Sequence, residues 1–331
     1  MVTVALDAMG GDNAPVEIIK GGLKALERDA NVYVKLVGKK EVIEKELEQR
    51  SYPKDRLEIV PASEVIETGD HPVQSIMKKK NSSIVVGLKL VRNNEADAFV
   101  SAGSTGAVLV GGQTIVGRIE KVERPPLAPL LPTANGVTLL IDCGANVDAR
   151  SSHLVQFAKM GSIYMEKVVG IKNPRVAIVN VGVEEEKGNA LVKETFPILK
   201  ELKDINFIGN IEAREIPRGG ADVVVCEAFT GNVILKLYEG LGATLLDKIK
   251  EGLMSNFITK IGALLIKPAL KKTLKSFDSS EYGGAPLLGL KGLVVKTHGN
   301  STENEISNAI LQCIKFKKQN INEHIKLSLN K

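Results

Sequence analysis

The chain has 331 residues, of which 44% are hydrophobic and 25% are charged, and its net charge is +5. This is the composition of a folded globular protein, so it excludes the disordered and fibrous classes. Because the charge is mild, tryptophan is absent and aromatic residues make up only 4%, we expect no nucleic-acid partner.

Short β-rich runs alternate with helical patterns along the whole chain. The predicted strands cover residues 2–6, 32–37, 57–60, 98–101, 137–141, 176–181, 206–208, 222–226 and 292–295. The predicted helices cover residues 15–27, 40–49, 84–92, 106–116, 152–168, 190–202, 232–251 and 303–317. Such alternation predicts an α/β fold with a mostly parallel sheet covered by helices on both faces.

One feature divides the predicted elements into two lobes. The stretch 124–135 carries four prolines and is the best candidate for a connection between lobes. We therefore expect residues 1–331 to form a single catalytic domain of two lobes. The basic tail 315–331 is expected to be frayed.

Spanning helices and cysteine motifs are both missing from the sequence. No apolar run approaches the ~20 residues that a spanning helix needs, and Asp7 and Asp12 interrupt any opening signal, so we expect a cytoplasmic protein. Cys143, Cys226 and Cys313 form no C-x-x-C pair. We expect no disulfide framework, no metal site and no cofactor.

Four turns that follow predicted strands are rich in glycine, serine, threonine and asparagine. They cover residues 7–15, 101–106, 142–146 and 229–232. In a parallel sheet such turns lie at one edge, where N–H groups at helix starts favour anions. The alternative is that these residues only cap helices and punctuate loops. Since neither a G-x-G-x-x-G turn nor a P-loop is present, the anion is a free or small phosphate rather than a dinucleotide.

The order of these turns resembles one family, the bacterial phosphate acyltransferases that make acyl-phosphate. The resemblance lies in Asp-Ala-Met-Gly-Gly-Asp from residue 7, Ser-Ala-Gly from 101, Arg-Pro-Pro-Leu-Ala from 124, Asp-Cys-Gly-Ala-Asn from 142, Thr-Gly-Asn from 230 and Tyr-Gly-Gly-Ala-Pro-Leu-Leu-Gly from 282. It extends from Val2 to about Gln312. The sequence departs from the family pattern at Ser104, at Glu227–Ala228 and at Asn300.

The resemblance implies a reaction, a fold and several partners. The reaction converts acyl-acyl carrier protein and inorganic phosphate to acyl-phosphate and free carrier protein, for phospholipid synthesis. The implied fold is a three-layer α/β/α sandwich similar to the isocitrate and isopropylmalate dehydrogenases. The implied assembly is a homodimer, and the product would be used by a membrane glycerol-phosphate acyltransferase.

The reaction needs a held phosphate, a polarised carbonyl and a leaving thiolate, tasks that N–H groups and amide side chains can perform. The predicted phosphate-binding residues are Asp7, Gly10, Gly11, Asn13, Gly103, Ser104, Thr105, Gly106, Asn146, Thr230 and Gly231. The predicted catalytic residues are Lys187 as a cation, His298 as a proton donor and Asn232 as a further donor. A solvated loop for Lys187 and a structural role for His298 remain alternatives. Another is attack by Cys143 through an acyl-enzyme.

Two surfaces are predicted to bind macromolecules or membranes. Lys78, Lys79, Lys80 and Arg92 are the expected contacts for an acidic carrier protein. Residues 252–276 form a protruding amphipathic segment in which Pro268 should kink or divide the helix. Its expected membrane contacts are Leu253, Phe257, Ile261, Leu264 and Leu265, beside Lys260, Lys267, Lys271 and Lys275. A helical bundle between two subunits is the alternative use of the same stripe.

Two further functions remain open from the sequence. One is an acetyl-coenzyme A phosphotransacetylase, which has the same chemistry with a short acyl donor. The other is a non-catalytic membrane scaffold that uses its phosphate pocket to bind lipid headgroups. An assay with long-chain acyl carrier protein and phosphate separates all three.

Overall fold

The computed structural model describes residues 1–277 and 279–330, apart from the side chains of residues 272, 275, 276, 279 and 280. The strands are β1 (Val2–Asp7), β2 (Val32–Gly38), β3 (Leu57–Pro61), β4 (Ala98–Ser101), β5 (Leu130–Thr133), β6 (Gly136–Ile141), β7 (Arg175–Val179), β8 (Asn206–Ile211), β9 (Val223–Val225), β10 (Ala285–Pro286) and β11 (Leu293–Lys296). The helices are α1 (Val16–Arg28), α2 (Lys40–Leu47), α3 (Pro72–Lys78), α4 (Ser83–Arg92), α5 (Thr105–Gly111), α6 (Ser151–Tyr164), α7 (Ala190–Glu201), α8 (Ala228–Leu253), α9 (Phe257–Ser276), α10 (Glu303–Lys318) and α11 (Ile321–Leu329). The α/β class predicted from the sequence is confirmed.

The strands form two sheets rather than one. The first sheet has the order β10-β11-β4-β1-β2-β3, and the second has the order β5-β6-β9-β7-β8. In each sheet the short outermost strand, β10 or β5, runs antiparallel to its neighbour, and the other pairs are parallel. The expectation that all four glycine turns share the edge of one sheet is therefore wrong. Two of them follow β1 and β4 of the first sheet, and two follow β6 and β9 of the second.

A continuous apolar core joins the two sheets. Its largest cluster includes Leu6 and Val100 from the first sheet and Ile141 and Val225 from the second, all of them completely buried. Strands that are covered on both faces read as near-continuous apolar runs, which is why β1, β4 and β9 lack a polar alternation. The shared core fixes the carboxyl edges of the two sheets relative to each other.

The proline-rich stretch 124–135 lies where the chain passes from the first sheet to the second, and it contains strand β5, which pairs with β6 and places Pro132 at a sheet edge. The expectation that the basic tail is frayed is wrong. The basic tail is ordered, because α11 buries Ile321 and Ile325 in the main core. Because lysines occupy exposed positions of the tail, its composition suggests a frayed end, although the spacing of Ile321 and Ile325 is that of a packed helix.

The segment around residue 260 is a helical hairpin. Helix α8 has 26 residues and ends at Leu253, and α9 begins at Phe257. Pro268 lies inside α9, which continues as one helix to Ser276, so the proline does not divide it. The side chain of Lys275, which the sequence analysis assigned to the basic face, lies outside the described residues.

Candidate functional site

Three loops of the first sheet touch at the level of their backbones. They follow β1, β4 and β11, which are neighbours in the sheet. A Cβ atom added to Gly10 would lie 2.7 Å from the nitrogen of Gly103, and one added to Gly11 would lie 2.8 Å from the carbonyl oxygen of Gly299. Gly11 also has a φ of +100°, which favours glycine. The glycines therefore allow three strand ends to converge on one small area.

The predicted donor Asn13 holds this arrangement together. Its side-chain amide donates to the carbonyl oxygens of Asn300 at 2.9 Å and Ser301 at 3.3 Å. The Asp12 nitrogen donates to Gly299 across the same two loops. The side chain that the sequence assigned to a phosphate thus links the β1–α1 loop to the β11–α10 loop.

Asp7 lies beneath these loops, completely buried at the end of β1. Its carboxylate accepts a 2.6 Å hydrogen bond from the Ser101 hydroxyl, whose oxygen in turn accepts from the Gly103 nitrogen at 3.0 Å. Burial raises the pKa of Asp7, and the hydrogen bond from Ser101 acts in the opposite direction. Asp7 is therefore placed to shape the loops from below rather than to touch a ligand.

Lys296 is one of the residues here that the sequence pattern does not predict. It ends β11, is 8% exposed, and its ammonium group donates to the carbonyl oxygens of Ala102 and Thr297. Burial lowers its pKa to about 8, while the nearby carboxylates of Glu305 and Asp7 act to raise it. The sequence feature that could have identified it is a lysine at the end of an otherwise apolar strand. Lys296 places a cation directly under the glycine loops.

The turn after β4 carries four predicted phosphate ligands. Ser104 is buried and accepts a 3.5 Å hydrogen bond from the Ala107 nitrogen, so it caps α5. Thr105 is exposed at the first position of that helix. A Cβ atom on Gly106 would lie 2.5 Å from Cγ of Pro72, so this glycine lets α3 pack against α5.

The turn after β6 is organised by a buried carboxylate. Asp142 accepts hydrogen bonds from the backbone nitrogens of Leu127, Ala145 and Asn146, and from the side-chain amide of Asn146 at 2.7 Å. That amide also donates to Pro125 at 3.0 Å. Burial raises the pKa of Asp142 to about 6, against these hydrogen bonds. Asn146 is thus buried and satisfied within the protein.

Helix α8 begins beside this turn with its own acidic cap. The Glu227 carboxylate accepts from the nitrogens of Phe229 at 2.6 Å and Thr230 at 3.0 Å, and from the Thr230 hydroxyl. Gly231 packs on the Asp142 carbonyl group too closely for any side chain. Glu227 therefore occupies the first N–H groups that a phosphate at Thr230 would use.

Asn232 differs from the other asparagines of the site. It is exposed, and a Cβ atom on Gly144 would lie 3.8 Å from its side-chain oxygen. Among the described residues no side chain or backbone group hydrogen-bonds its amide. Asn232 is therefore free to donate to a ligand above the Asp142 turn.

The two sheets meet again through His298 and α8. His298 Nε2 lies 3.2 Å from Glu239 Oε1, and Lys236 Nζ lies 2.9 Å from Glu239 Oε2. Glu239 Oε1 is buried and accepts no well-aligned hydrogen bond within the described chain. Lys236 also interacts electrostatically with Lys296. A charged cluster thus spans the cleft, with α8 on one side and the β11–α10 loop on the other.

Lys187 lies in the loop between β7 and α7. Its ammonium group is 2.8 Å from Glu184, and this pairing raises the pKa of Lys187. Both side chains are nearly half exposed. The loop belongs to the same sheet as the Asp142 turn, but the contacts of Lys187 are with its own loop.

Cys143 is buried, and its thiol points toward the Leu140 carbonyl group at 3.6 Å. Burial raises its pKa well above the ordinary value, and the nearby Cys226 and Asp142 add to the effect. A thiol that stays protonated and enclosed is a poor nucleophile. The geometry therefore argues against an acyl-enzyme at Cys143.

The predicted carrier-docking residues differ in freedom. Lys78, Lys80 and Arg92 are exposed. Lys79 instead donates to Asp70 at 2.6 Å and to the Val65 carbonyl oxygen at 2.8 Å, which ties α3 to the preceding loop. Only the first three are available to a partner.

The helical hairpin exposes apolar side chains on both of its helices. On α9 the exposed residues include Phe257, Ile261, Leu264 and Leu265, whereas Leu253 at the end of α8 is half-buried. On α8 an unbroken i, i+4 stripe is exposed, made of Phe229, Val233, Leu237, Leu241, Leu245 and Ile249.

Spanning helices and metal-binding clusters are both absent from the part of the chain that the structure describes. Within residues 1–277 and 279–330, no helix combines the length and apolar character needed to cross a bilayer. The same part of the chain contains no cluster of three or more histidine, cysteine or acidic side chains that could hold a metal ion.

Known proteins are similar to this chain over nearly its whole length. A family model described as a fatty acid synthesis protein matches residues 2–324. A phosphate acyltransferase of Alkaliphilus oremlandii is 52% identical over 322 residues, covering 97% of this chain and 96% of that protein. One from Thermoanaerobacter pseudethanolicus is 50% identical over 323 residues, covering 98% and 96%.

Solved structures show the same fold at low sequence identity. A phosphotransacetylase from Streptococcus pyogenes has a TM-score of 0.64 at 16% identity, covering 96% of this chain and 94% of that one. A putative 4-hydroxythreonine-4-phosphate dehydrogenase from Salmonella typhimurium has a TM-score of 0.50 at 12% identity, covering 95% and 99%. The expected likeness to a dehydrogenase fold is confirmed by the second of these.

Proposed function

This chain belongs to the phosphate acyltransferase family, and from that premise we propose that it transfers the acyl group of acyl-acyl carrier protein to inorganic phosphate. The products are acyl-phosphate and free carrier protein. The observation that carries the proposal is the meeting of the strand-end turns of both sheets around one cleft, with His298 and the exposed Asn232 at its edges and Lys296 beneath it.

Phosphate binds above the three glycine loops of the first sheet. Gly10, Gly11 and Gly103 let these loops pack closely on one another, which supports a compact backbone surface for the phosphate. The buried ammonium group of Lys296 lies under these loops and favours a dianion above them, because its charge is poorly screened by solvent. Lys296 acts here as a positioning residue, since its N–H groups already contact carbonyl oxygens.

The thioester lies across the cleft, against the second sheet. Asn232 supports carbonyl polarisation because it is exposed and has no partner among the described residues. Phosphate is anionic at neutral pH and attacks directly. The thiol of the leaving group has a pKa of about 8.5 by analogy with cysteine, so a weak acid suffices to protonate the thiolate. His298, placed beside Glu239, is the proton donor in this scheme.

Lys187 has a smaller role in the proposed reaction, in the approach of the substrate. Its loop follows β7, the strand beside β9 in the second sheet. Replacing its contact with Glu184 by a contact with the substrate phosphate or thioester would bring its charge to the cleft. The present pairing supports a role in substrate approach more than in the chemical step.

The test is a direct assay of acyl-phosphate formation from hexadecanoyl carrier protein and phosphate. We expect turnover with this donor and little with acetyl-coenzyme A. Preference for acetyl-coenzyme A would instead identify a phosphotransacetylase, and no turnover with either, together with binding to phospholipid headgroups, would identify a scaffold. Asn232→Ala should lower kcat at least tenfold. Asn206→Ala is the matched control, since Asn206 bonds only its own sheet edge.

A homodimer is part of the proposal. The α8 stripe of six exposed apolar residues extends along most of a 26-residue helix. An i, i+4 apolar stripe on a long helix is the pattern that packs against a partner helix in bundles. A second copy supplies an identical stripe, so the contact is self-complementary.

Peripheral membrane contact through α9 is also proposed. Phe257, Leu264 and Leu265 are each more than two-thirds exposed, and Lys260 and Lys267 are exposed nearby. Apolar side chains flanked by lysines suit the surface of an anionic bilayer. A cytoplasmic enzyme bound in this way could pass acyl-phosphate to a membrane glycerol-phosphate acyltransferase.

A further inference from the structure

A groove of about 410 Å³ lies between α3, α5 and the turn after β6. One wall is formed by α5 and by the π-helical turn Gly112–Val116 that continues it, along which Gly106, Val110 and Thr114 recur every fourth residue. The eight steps from Gly106 to Thr114 make this wall about 12 Å long. Ala145 of the second sheet closes the opposite side.

The groove starts at the proposed reaction site and leads away from it. Gly106 ends the turn that follows β4, and Ala145 lies in the turn organised by Asp142. These two turns belong to different sheets, so the mouth of the groove lies where the sheets face each other. A substrate with its reacting carbonyl at the turns can extend into the groove past Gly106 and Ala145, which line it.

The lining is apolar and uncharged. Pro72, Val73, Leu109, Val110 and Ala145 supply most of it, and His71, Gln113 and Thr114 are its polar members. None of the described residues that line it is a lysine, arginine, aspartate or glutamate. Val73 is 47% exposed, so apolar surface remains uncovered at the lip. A groove of this volume and lining is typical of sites for apolar ligands.

We propose that this groove binds the fatty acyl chain of the acyl donor, an inference that rests on the proposed function. The amide-containing arm of a carrier protein is the competing occupant. That arm carries polar groups that need hydrogen-bond partners when buried, and the lining offers few. An alkyl chain needs only apolar contact along its length, which the helical wall provides.

The experiment compares two acyl donors in variants that fill the groove. Val110→Trp and Thr114→Trp place a large side chain in it, and Thr114 is exposed, so the second variant has room to fold. Ile198→Trp on α7 is the matched control, with a similar apolar residue 41% exposed outside the groove. We measure kcat/KM with hexadecanoyl and butanoyl carrier protein.

In both groove variants, kcat/KM for the hexadecanoyl donor should fall about tenfold more than for the butanoyl donor, because excluding two methylene groups from an apolar site already has that effect. The control should keep the wild-type ratio. An equal fall with both donors would overturn the proposal and assign the groove to the carrier arm. Wild-type kcat/KM values with both donors in both variants would overturn it as well.

A second measurement does not depend on turnover. Hexadecanoyl carrier protein with a diazirine at the end of its chain is photolysed on the wild-type protein, and the labelled peptides are identified by mass spectrometry. Label on α3 or α5 supports the groove, and label only on other elements overturns it. If the wild type binds and labels there but forms no acyl-phosphate, the proposed function fails while the groove assignment stands.

Discussion

Lys296 shows the stability cost of one buried charge. Its ammonium group has carbonyl partners but no directly paired carboxylate among the described residues. Removing a cation from water is unfavourable unless it is paired, which is why the pKa of Lys296 is lowered to about 8. In the proposed function this cost is offset by the attraction between the buried charge and a phosphate above the adjacent glycine loops.

We expect Lys296→Met to be more stable than the wild type at pH 7. Since the pKa is about 8 in the folded state and near 10.5 when unfolded, the folded protein binds fewer protons between these values, so wild-type stability rises with pH across that interval. Below pH 8 the cost of the buried cation is fully present. The variant should gain on the order of 1–3 kcal/mol at pH 7.

Urea unfolding of both proteins at pH 7 and pH 10 provides the measurement. The stability difference should shrink strongly at the higher pH, and a difference that stays constant would contradict the assignment. In the same variant the KM for phosphate should rise at least tenfold if the buried charge supports phosphate binding. A normal phosphate KM would remove Lys296 from the site.

Cys143→Ala should keep acyl-phosphate synthesis within about twofold of the wild type, because a protonated and buried thiol takes no part in direct attack. The measurement is kcat together with a search for labelled acyl groups on the wild-type protein during turnover. A thioester trapped on Cys143 would contradict direct attack and restore the covalent route.

The sequence predicted the glycine turns of the site but not the side chains that complete it. Asp7, Gly10 and Gly103 are recognisable because local turn chemistry demands them. Glu239 is not, because it is an ordinary charged position on a helix until the fold brings it 3.2 Å from His298. A residue whose contacts are with residues far away in the sequence has no local pattern by which it could be recognised.

Most elements were predicted to within a few residues, since buried strands and amphipathic helices have strong periodicity. The start of α8 is an exception: its first turn, Ala228–Gly231, was predicted as part of a loop. Glu227 caps the helix with a carboxylate, so a turn that resembles a phosphate loop is already helical. What α8 and α9 pack against could not be predicted, because amphipathicity does not identify the partner.

Leu237→Glu on α8 should convert a dimer to a monomer. Leu237 is 68% exposed at the middle of the stripe, so a glutamate there is harmless to the isolated chain but is buried and unpaired in a helix bundle. Light scattering of the variant and the wild type gives the mass of each. A wild type that is monomeric at micromolar concentration would refute the dimer through α8.

Leu264→Glu on α9 is the matched variant for the membrane surface. Leu264 is 72% exposed, and its replacement should release the protein from anionic vesicles without changing its mass in solution. Vesicle flotation at low and high salt is the measurement, and binding should weaken with salt. Loss of the dimer in Leu264→Glu, with flotation unaffected, would exchange the roles of the two helices.

Docking of a carrier protein is a property of the whole charged surface. An acidic partner is attracted over distances of about a Debye length, so basic residues speed encounter more than they tighten the complex. Lys78 and Lys80 are exposed, so in the proposed complex they add to this attraction, whereas Lys79 is paired with Asp70.

The double variant Lys78→Glu/Lys80→Glu should raise the KM for acyl carrier protein several-fold and flatten its dependence on salt. Lys79→Glu is a contrasting variant that should act mainly on stability, through the lost tie to Asp70. Initial rates at 50 and 300 mM salt provide the comparison. A salt dependence identical to that of the wild type would place carrier docking on another surface.

The sequence patterns predict two lobes, but they do not show which sheet each strand joins. A strand in a parallel sheet has the same buried, β-branched character whichever sheet it joins, so β4 and β6 look alike locally. The choice is made by helices and loops that pack between them. Leu6 and Ile141 pack in one shared core, and no single segment of the sequence predicts that contact.

Helix α8 begins at the Asp142 turn and ends at the hairpin, and its 26 residues span about 39 Å. If the hairpin tip rests on a bilayer, an upright α8 holds the reaction cleft at that height, and a helix lying flat lowers it toward the headgroups. Acyl-phosphate is a mixed anhydride that water hydrolyses. With the hairpin on a bilayer, the inclination of α8 therefore sets the distance that a water-sensitive product must travel before it reaches lipid.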